Sequence, residues 1–464
     1  MPSLSLPPLP QRPSDSQIQA LVEELGRRAP GLPILSAPGD LERFSGDFHG
    51  FSPVLRELLA GCRGQLVVGP RGVEEVMAVA GACARQRVPL TLRGAGTGNY
   101  GQCVPLAGGV VMDMGRLAHL REVDPATGVV EAEAGCLLAD LDRQLLPHGR
   151  ALRLAPSTWR TATLGGFIAG GSGGIGSLRW GFLRDPGQVL ELEVVSVEAE
   201  PRRLRIEGLA CDPLNHAYGT NGILTALRLA TDQAVGWWQM VVDFSDWNQA
   251  LAAARELPRT ALLQQELCLL EPALAAALPW PQGCPSPGAG DSRLLLLMAP
   301  DAAPLAASWL SARGGAVAWR EPEATTRGLP LRELTWNHTT LHWRAKHPRW
   351  TYLQMLLPEP EGPFLARLRD RWGDHLLWHL EGVRQGGASR LAGLPVLLDQ
   401  GFAPLQELMD QCRAEGAVLF DPHVLTVEDG GLGVIDSAQV ACKRALDPDG
   451  LLNPGKLRGW WDQG

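Results

Sequence analysis

The sequence predicts an α+β protein of two domains. Its first domain pairs a βαβ-containing subdomain with an antiparallel sheet, and its second is a separate α+β domain. Three observations carry this. Two strand-like runs, 65–70 (QLVVGP) and 88–92 (VPLTL), flank a stretch with apolar residues at Val73, Val76, Met77, Val79 and Ala80, a helical spacing. Alternating segments at 122–124, 129–134, 189–199 and 203–206, the first two joined by the turn 125–128, read as antiparallel strands. Beyond Gly236 helical stretches (247–257, 301–313, 363–372) alternate with strand-like runs (240–244, 292–298, 376–379), which marks a separate domain.

Composition bounds the rest. With 464 residues, 45% of them hydrophobic, the chain can bury a large core. A net charge of −8 gives no bulk attraction to nucleic acid. No window holds eighteen consecutive apolar residues, so no transmembrane segment is expected. The N-terminus has neither the basic start nor the apolar core of a secretory signal. The nine cysteines are odd in number and form no C-x-x-C pair, which argues for free thiols and a cytoplasmic setting.

In chain order, residues 1–14 are rich in Pro and Ser and are expected to be disordered. A short helix over 16–28 is stopped by Pro30 and Gly31. The βαβ unit runs into the first glycine cluster at 93–101, followed by a strand over 109–114. Residues 137–146 predict a helix ended by Pro147 and Gly149, and 223–230 another strand.

The second glycine cluster, 156–185, holds eight glycines. That density argues against an ordinary helix, since each Gly costs about 1 kcal/mol relative to Ala. It is not a flexible linker, because Leu164, Phe167, Ile168, Ile175, Leu178, Trp180 and Phe182 are spread through it. A backbone held close to a ligand fits, its N–H groups suiting a phosphate or an electron-rich ring; a packing loop without ligand is the alternative. The first cluster, Gly96-Thr97-Gly98-Asn99-Tyr100-Gly101, matches G-x-G-x-x-G after a strand. A dinucleotide-binding Rossmann unit needs a helix directly after it, and Pro105 and Gly108 break one there.

Both clusters fit together in one pattern. Arg93-Gly94-Ala95-Gly96-Thr97 is followed by Pro156-Ser157-Thr158, Thr163-Leu164-Gly165-Gly166, Gly173-Gly174, Trp180-Gly181 and Arg184-Asp185. Gly219-Thr220-Asn221-Gly222-Ile223 comes next, and 447–456 (DPDGLLNPGK) closes the set. This order resembles the FAD-linked oxidases of vanillyl-alcohol-oxidase (PCMH) type, in the branch of the glycolate oxidase large subunit and D-lactate dehydrogenase. The resemblance covers about residues 45–230 and 440–460. It implies an N-terminal extension (1–40), an FAD-binding domain (41–235), a cap or substrate domain (236–440) and a C-terminal segment returning to the FAD domain (441–464).

The resemblance implies cofactor contacts at Arg93, Gly94, Ala95, Gly96, Thr97, Gly98 and Asn99 around the pyrophosphate. It implies further contacts at Pro156, Ser157, Thr158, Thr163, Gly165, Gly166, Ala169, Gly173 and Gly174 along the cofactor, and at Gly222 and Ile223 near adenine or ribose. Asn453 and Lys456 would return to the flavin side, where a cation stabilises reduced flavin; the alternative for Lys456 is a solvated surface charge. Some relatives attach FAD through a His in the first cluster. Here Thr97 stands at that position, so non-covalent FAD is expected, and Cys103 reads as a buried apolar residue.

The expected reaction is hydride transfer to flavin from the CH–OH group of a small 2-hydroxy acid, such as D-lactate or glycolate, with a base taking the hydroxyl proton. The electron acceptor is open among oxygen, a quinone and a partner subunit. A non-catalytic flavin-binding subunit and an aldonolactone-type oxidase are the alternatives. Several relatives hold a metal with a G-H-x-G-D-G-N motif; it is absent, 378–382 reading WHLEG at its place, and no metal is assigned. The segment 334–342 (LTWNHTTLH) stands where relatives supply a carboxylate-binding Arg, and none follows Trp336 at that offset. His338 and His342, four apart, are the first candidates for catalysis, and His423, beside Asp421 and Glu428, is the next. His375 and His379 share the same spacing; either pair reads as a metal pair or as a base with its partner, or else as solvated or hydrogen-bonded histidines, the reading taken for His375. Arg344, Lys346 and Arg349 bind an anionic substrate or form a basic surface turn.

Overall fold

A computed structural model describes residues 6–171 and 173–462, and its chain divides into two units. The first comprises Met1–Ser172, Leu183–Gln233 and His423–Gly464; the second comprises Gly173–Phe182 and Ala234–Pro422.

The first unit has two sheets. The smaller is ordered Ile34–Leu35, Leu66–Val68, Val110–Asp113, Leu90–Arg93, and its last three strands are parallel. The βαβ reading therefore gains a detail: Val110–Asp113 lies between the two strands that the helix Val73–Gln86 connects. That helix buries Val76, Val79, Ala80 and Cys83, and Arg87 ends it in a left-handed conformation. The larger sheet runs Leu120–Asp124, Val129–Glu133, Ile223–Gln233, Val189–Val195, Arg203–Glu207, all antiparallel. One face carries acidic and basic residues in register. Glu193, 2% exposed in its side chain, meets Arg203 at 2.7 Å and Arg121 at 3.3 Å. Burial opposes its charge, but the Arg203 and Thr225 hydrogen bonds outweigh it and hold the carboxyl below its usual range.

Residues 6–13 correct the expectation of a disordered N-terminus. They are coil, but Leu6 and Leu9 pack against the cluster of Leu55, Leu59, Val104 and Leu106, and the Gln65 side chain donates to Pro13 O at 2.9 Å. Two apolar side chains in a proline-rich run found a tertiary surface, which composition does not reveal. Ser14 and Gln17 then form a capping box for Asp15–Arg28.

The expected boundary at 441 moves to 423. The intervening segment is tied into the first unit: Leu425 joins the Leu55 cluster, Val427 N donates to Lys456 O at 2.9 Å, and Glu428 accepts from Arg458 N and Gly459 N.

The second unit is built on an eight-stranded antiparallel sheet. Its order is Ala316–Pro322, Trp238–Phe244, Ser292–Met298, Gln264–Leu270, His379–Gln385, Ala388–Gly393, Gln354–Leu356, Val418–Phe420. Helices Trp247–Glu256, Ala302–Ser311, Glu361–Trp372 and Phe402–Ala414 bury Leu251, Leu310, Phe364 and Leu408 against Leu267, Leu269, Leu294 and Leu296. The alternate residues Cys268, Leu270 and Leu295 face the other way, towards Leu274, Leu334 and Trp343. Central strands buried on both faces account for the unbroken apolar run in Ser292–Met298.

Candidate functional site

The glycine-dense stretch does contain helix, against expectation. Leu164–Gly170 is helical, and so is Ser177–Trp180. The helix Leu164–Gly170 holds because its ends and face are fixed from outside. Thr163 caps it, its hydroxyl accepting from Gly166 N at 3.2 Å, a contact of about 1 kcal/mol. Gly165 N donates to Ala134 O at 2.7 Å, and a Cβ on Gly165 would lie 2.7 Å from the Ala134 methyl. Here the missing side chain is what lets the helix lie against the residue that follows the strand Val129–Glu133.

The same helix meets the first glycine cluster. A Cβ on Gly94 would lie 2.2 Å from Thr163 Oγ1 and 3.6 Å from Gly166 Cα. Gln102 bridges the two clusters further on, its amide donating to Gly170 O at 2.8 Å. Among the described residues no main-chain N–H from Gly94 to Gly98 finds an acceptor within the protein. Partnerless main-chain donors in succession are rare in a folded chain and form an anion-binding concavity.

Two cations flank this loop. Arg93 ends the strand and directs its guanidinium to Gly46 O and, at 3.5 Å, to Cys103 Sγ. Lys456 is fully buried and donates to Gly101 O at 2.5 Å. Burial pulls its pKa down to about 8, against the opposing pull of the Asp47 carboxylate. Asp47 Oδ1 accepts from the His49 main chain and lies 2.9 Å from His49 Nδ1. Asp47 Oδ2 and Asn453 Oδ1 are buried without partners.

Asn453 ties the site together. Its φ of +43° is a left-handed value that Asn tolerates. Its amide donates to Gln102 O at 2.8 Å and Tyr218 O at 2.6 Å, while its main-chain N donates to Leu90 O at 2.7 Å. Tyr218 N in turn donates to Ala169 O at 2.8 Å. The C-terminal turn thus joins both glycine clusters and the segment before Gly222.

The other expected cofactor residues fall as follows. Thr97 and Asn99 are half-buried in the first loop. Pro156, Ser157 and Thr158 form the turn before the cap, with Pro156 O accepting from Trp159 N at 3.0 Å. Gly222 packs on Val194, 2.6 Å from where its Cβ would lie, and Ile223 is wholly buried in the core. Gly173 and Gly174 belong to the second unit, where Gly174 N donates to Ser177 Oγ at 2.9 Å.

The three candidate catalytic histidines divide between the units. His423 lies in the first, 4% exposed, with Nδ1 2.8 Å from Ser52 Oγ. His338 and His342 share the helix Asn337–Lys346, their rings 6.4 Å apart. His338 Nδ1 lies 3.5 Å from Glu333 Oε2, and His342 Nε2 donates to Glu333 O at 3.0 Å. Arg344 donates to Trp350 O, and the exposed Lys346 donates to Ala277 O. His375 and His379 do not share a helical face: His375 lies in a 3-10 turn beside Gln400, and His379 begins a strand.

The sequence reading named His379 but not the buried polar group to which it belongs. Glu266, Cys268, His379 and Glu381 are buried together in the second unit. His379 Nε2 lies 2.7 Å from Glu381 Oε1, which also accepts from Trp336 N at 2.6 Å. Burial raises both carboxyls well above their usual range and lowers the His379 pKa to about 3, leaving the ring neutral. The available signal was His and Glu two apart in one strand and Glu and Cys two apart in another, but their pairing is not local.

A loop of free N–H groups beginning at Arg93 has the chemistry to hold an anion such as a pyrophosphate. Residues 64–205 match the family model described as FAD binding domain. Over 201 residues the chain is 29% identical to the glycolate oxidase subunit GlcD of Escherichia coli strain K12, covering 43% of this chain and 38% of that one. Over 172 residues it is 33% identical to a D-lactate dehydrogenase of Archaeoglobus fulgidus, covering 36% and 38%. A probable mitochondrial D-2-hydroxyglutarate dehydrogenase of Oryza sativa is 29% identical over 175 residues, 36% of this chain and 31% of that one. These matches span less than two fifths of the relatives' own length. A solved structure of alkyldihydroxyacetonephosphate synthase superposes with a TM-score of 0.71 at 15% identity, covering 97% of this chain and 88% of that one, a likeness of fold. Residues 64–205 are thus an FAD binding domain of PCMH type, related to those of glycolate oxidase subunit GlcD and D-lactate dehydrogenase.

Proposed function

We propose that the chain is an FAD-dependent oxidoreductase that oxidises the CH–OH group of a small 2-hydroxy acid. The observation that carries this is the run of unpartnered N–H groups at 94–98, packed on Thr163 inside the FAD binding domain. Relatives named for glycolate, D-lactate and D-2-hydroxyglutarate support the substrate class. Bound FAD supplies a two-electron acceptor for the substrate hydride. The chain's part is to hold the pyrophosphate with Arg93 and the 94–98 N–H groups, to set Lys456 on the flavin side, and to take the hydroxyl proton.

His342 is best equipped for the proton. Its Nε2–H donates to the Glu333 carbonyl, which leaves Nδ1 with a lone pair, and no described residue bonds to that atom. An imidazole nitrogen with an open lone pair is what a general base requires. FAD is held non-covalently in this reading, since Thr97 offers no attachment atom. Nine cysteines, all free, support work in the cytoplasm, and no helix among the described residues is long and apolar enough to cross a membrane.

The test is anaerobic mixing of the purified yellow protein with D-lactate, glycolate, D-2-hydroxyglutarate and further 2-hydroxy acids. Bleaching of the flavin by at least one is expected. If dithionite bleaches it and no hydroxy acid does, the substrate reading fails. Acid precipitation is expected to release all flavin into the supernatant. Reoxidation by oxygen, a quinone or a cell extract then identifies the electron acceptor.

A further inference from the structure

We propose that Asp47 is a cofactor-binding residue whose Oδ2 accepts a hydrogen bond from a sugar hydroxyl of FAD, beside the loop that holds the phosphates. The inference rests on the FAD reading and adds to it a residue well before either glycine cluster. Asp47 is the N-cap of the 3-10 turn Phe48–Phe51, and its side chain is wholly buried. Its two carboxylate oxygens are used differently. Oδ1 accepts from His49 N at 2.9 Å and lies 2.9 Å from His49 Nδ1. Oδ2 is buried and has no partner. A folded chain rarely keeps a buried carboxylate oxygen without a donor unless something bound supplies one.

Oδ2 faces the first glycine loop. Phe48 N donates to Gly98 O at 2.7 Å, which fastens the turn to the loop. A Cβ on Gly98 would lie 1.9 Å from Gln102 Oε1 and 3.5 Å from Asp47 Oδ2, so only glycine fits between them. No hydrogen bond joins the carboxylate to Lys456, whose ammonium donates to Gly101 O at 2.5 Å. Among the described residues, the one ion pair of Asp47 is with His49. A second buried acceptor without a partner, Asn453 Oδ1, belongs to the side chain whose amide donates to Gln102 O at 2.8 Å. Acceptors lacking donors thus gather at the 98–102 end of the loop, and donors lacking acceptors run along 94–98.

The chemistry of the occupant follows from this division. The N–H run suits phosphate oxygens. A carboxylate only accepts hydrogen bonds, and its charge repels phosphate. The group that meets Asp47 is therefore a donor carried next to the phosphates. In FAD the pyrophosphate joins the ribose on one side and the ribityl chain on the other, and both carry hydroxyls. A hydroxyl bound to a carboxylate makes a charge-assisted bond, about twice as strong as a neutral one. Acidic side chains take ribose hydroxyls in this way at other dinucleotide sites. No proton or electron is transferred. Because the carboxylate repels phosphate, Asp47 also fixes how far along the loop the pyrophosphate lies.

The experiment titrates the apoprotein of the full chain with FAD and with FAD analogues that each lack one hydroxyl of the ribose or of the ribityl chain, and reads dissociation constants by calorimetry. In wild type, one analogue is expected to bind about tenfold to a hundredfold more weakly than FAD, the loss for a hydrogen bond to a charged group. Whether it is a ribose or a ribityl analogue names the hydroxyl. Asp47→Ser keeps an oxygen to cap the turn and removes Oδ2. It is expected to bind FAD and that analogue alike, within about twofold, a cancellation that a merely structural loss does not produce. If Asp47→Ser does not fold, Asp47→Asn takes its place, and the gap is expected to fall to about a third or less. Wild type that binds every analogue as tightly as FAD, or an undiminished gap in the variant, would overturn the proposal and leave the FAD reading standing. Folded wild type that binds no FAD would overturn both.

Discussion

A Cβ placed on Gly94 would lie 2.2 Å from the hydroxyl oxygen of Thr163, the residue that caps the helix of the second glycine cluster. The two clusters are therefore fitted to each other before any cofactor is considered. Gly94→Ala must displace Thr163, opening the cap and shifting the run of free N–H groups. The expected outcome is a loss of FAD affinity of about tenfold or more, from lost cap energy and a distorted cradle. Thr163→Ala alone is expected to cost less, and the double variant less than the sum of the two singles. Isothermal titration of the apoproteins with FAD measures all three; strict additivity would mean that the contact does not matter.

The C-terminal turn makes a second prediction. Asn453 satisfies two carbonyls from distant segments, Gln102 and Tyr218, at a left-handed φ. Asn453→Ala leaves both without that donor and adds backbone strain, a loss of about 2–4 kcal/mol in unfolding free energy. Asn453→Gly relieves the strain but not the hydrogen bonds, so it is expected to fall between wild type and Asn453→Ala. Urea unfolding followed by far-ultraviolet circular dichroism gives the order. An Asn453→Ala variant as stable as wild type would remove the turn from its bridging role.

How far the sequence disclosed all this depends on which interactions were local. The helix Val73–Gln86 was legible because its apolar spacing and flanking strands lie within thirty residues. The turn around Asn453 was legible as a motif, but its partners at 102 and 218 were not, since no spacing rule links them. The helix at Leu164–Gly170 was misread because intrinsic propensity weighed against it, whereas Thr163 and Ala134, outside the helix, decide it. The group around His379 was hidden for the same reason: its two strands are over a hundred residues apart, and only their register brings Cys268 opposite Glu381.

Lys456 predicts a pH dependence. Burial lowers its pKa in the folded state from 10.5 to about 8, so the unfolded chain holds this proton more tightly. The resulting stability is fully present above pH 10.5 and is lost as the pH falls through about 8. The difference in stability between apo wild type and Lys456→Met is therefore expected to shift towards wild type as the pH rises from 8 to 10. FAD is an anion, and bound beside Lys456 it favours the protonated form, so FAD affinity of the wild type is expected to weaken over the same interval. Lys456→Met is expected to show a flatter affinity profile. Parallel profiles for the two proteins would show that Lys456 does not titrate in this range.

The last prediction separates the proton acceptor from the other histidines. His342 directs Nε2–H to the Glu333 carbonyl and keeps Nδ1 open, whereas His423 is buried against Ser52. His342→Gln keeps a hydrogen-bonding side chain of similar length without a titratable nitrogen. It is expected to slow anaerobic flavin reduction by about 10²–10⁴, the range for loss of a general base, with FAD content unchanged. A merely structural role would lower FAD content or thermal stability together with the rate. His423→Gln is expected to lower thermal stability and leave the reduction rate of the folded protein near that of wild type. Stopped-flow reduction distinguishes the two, and a rate lost in His423→Gln but kept in His342→Gln would reverse the assignment.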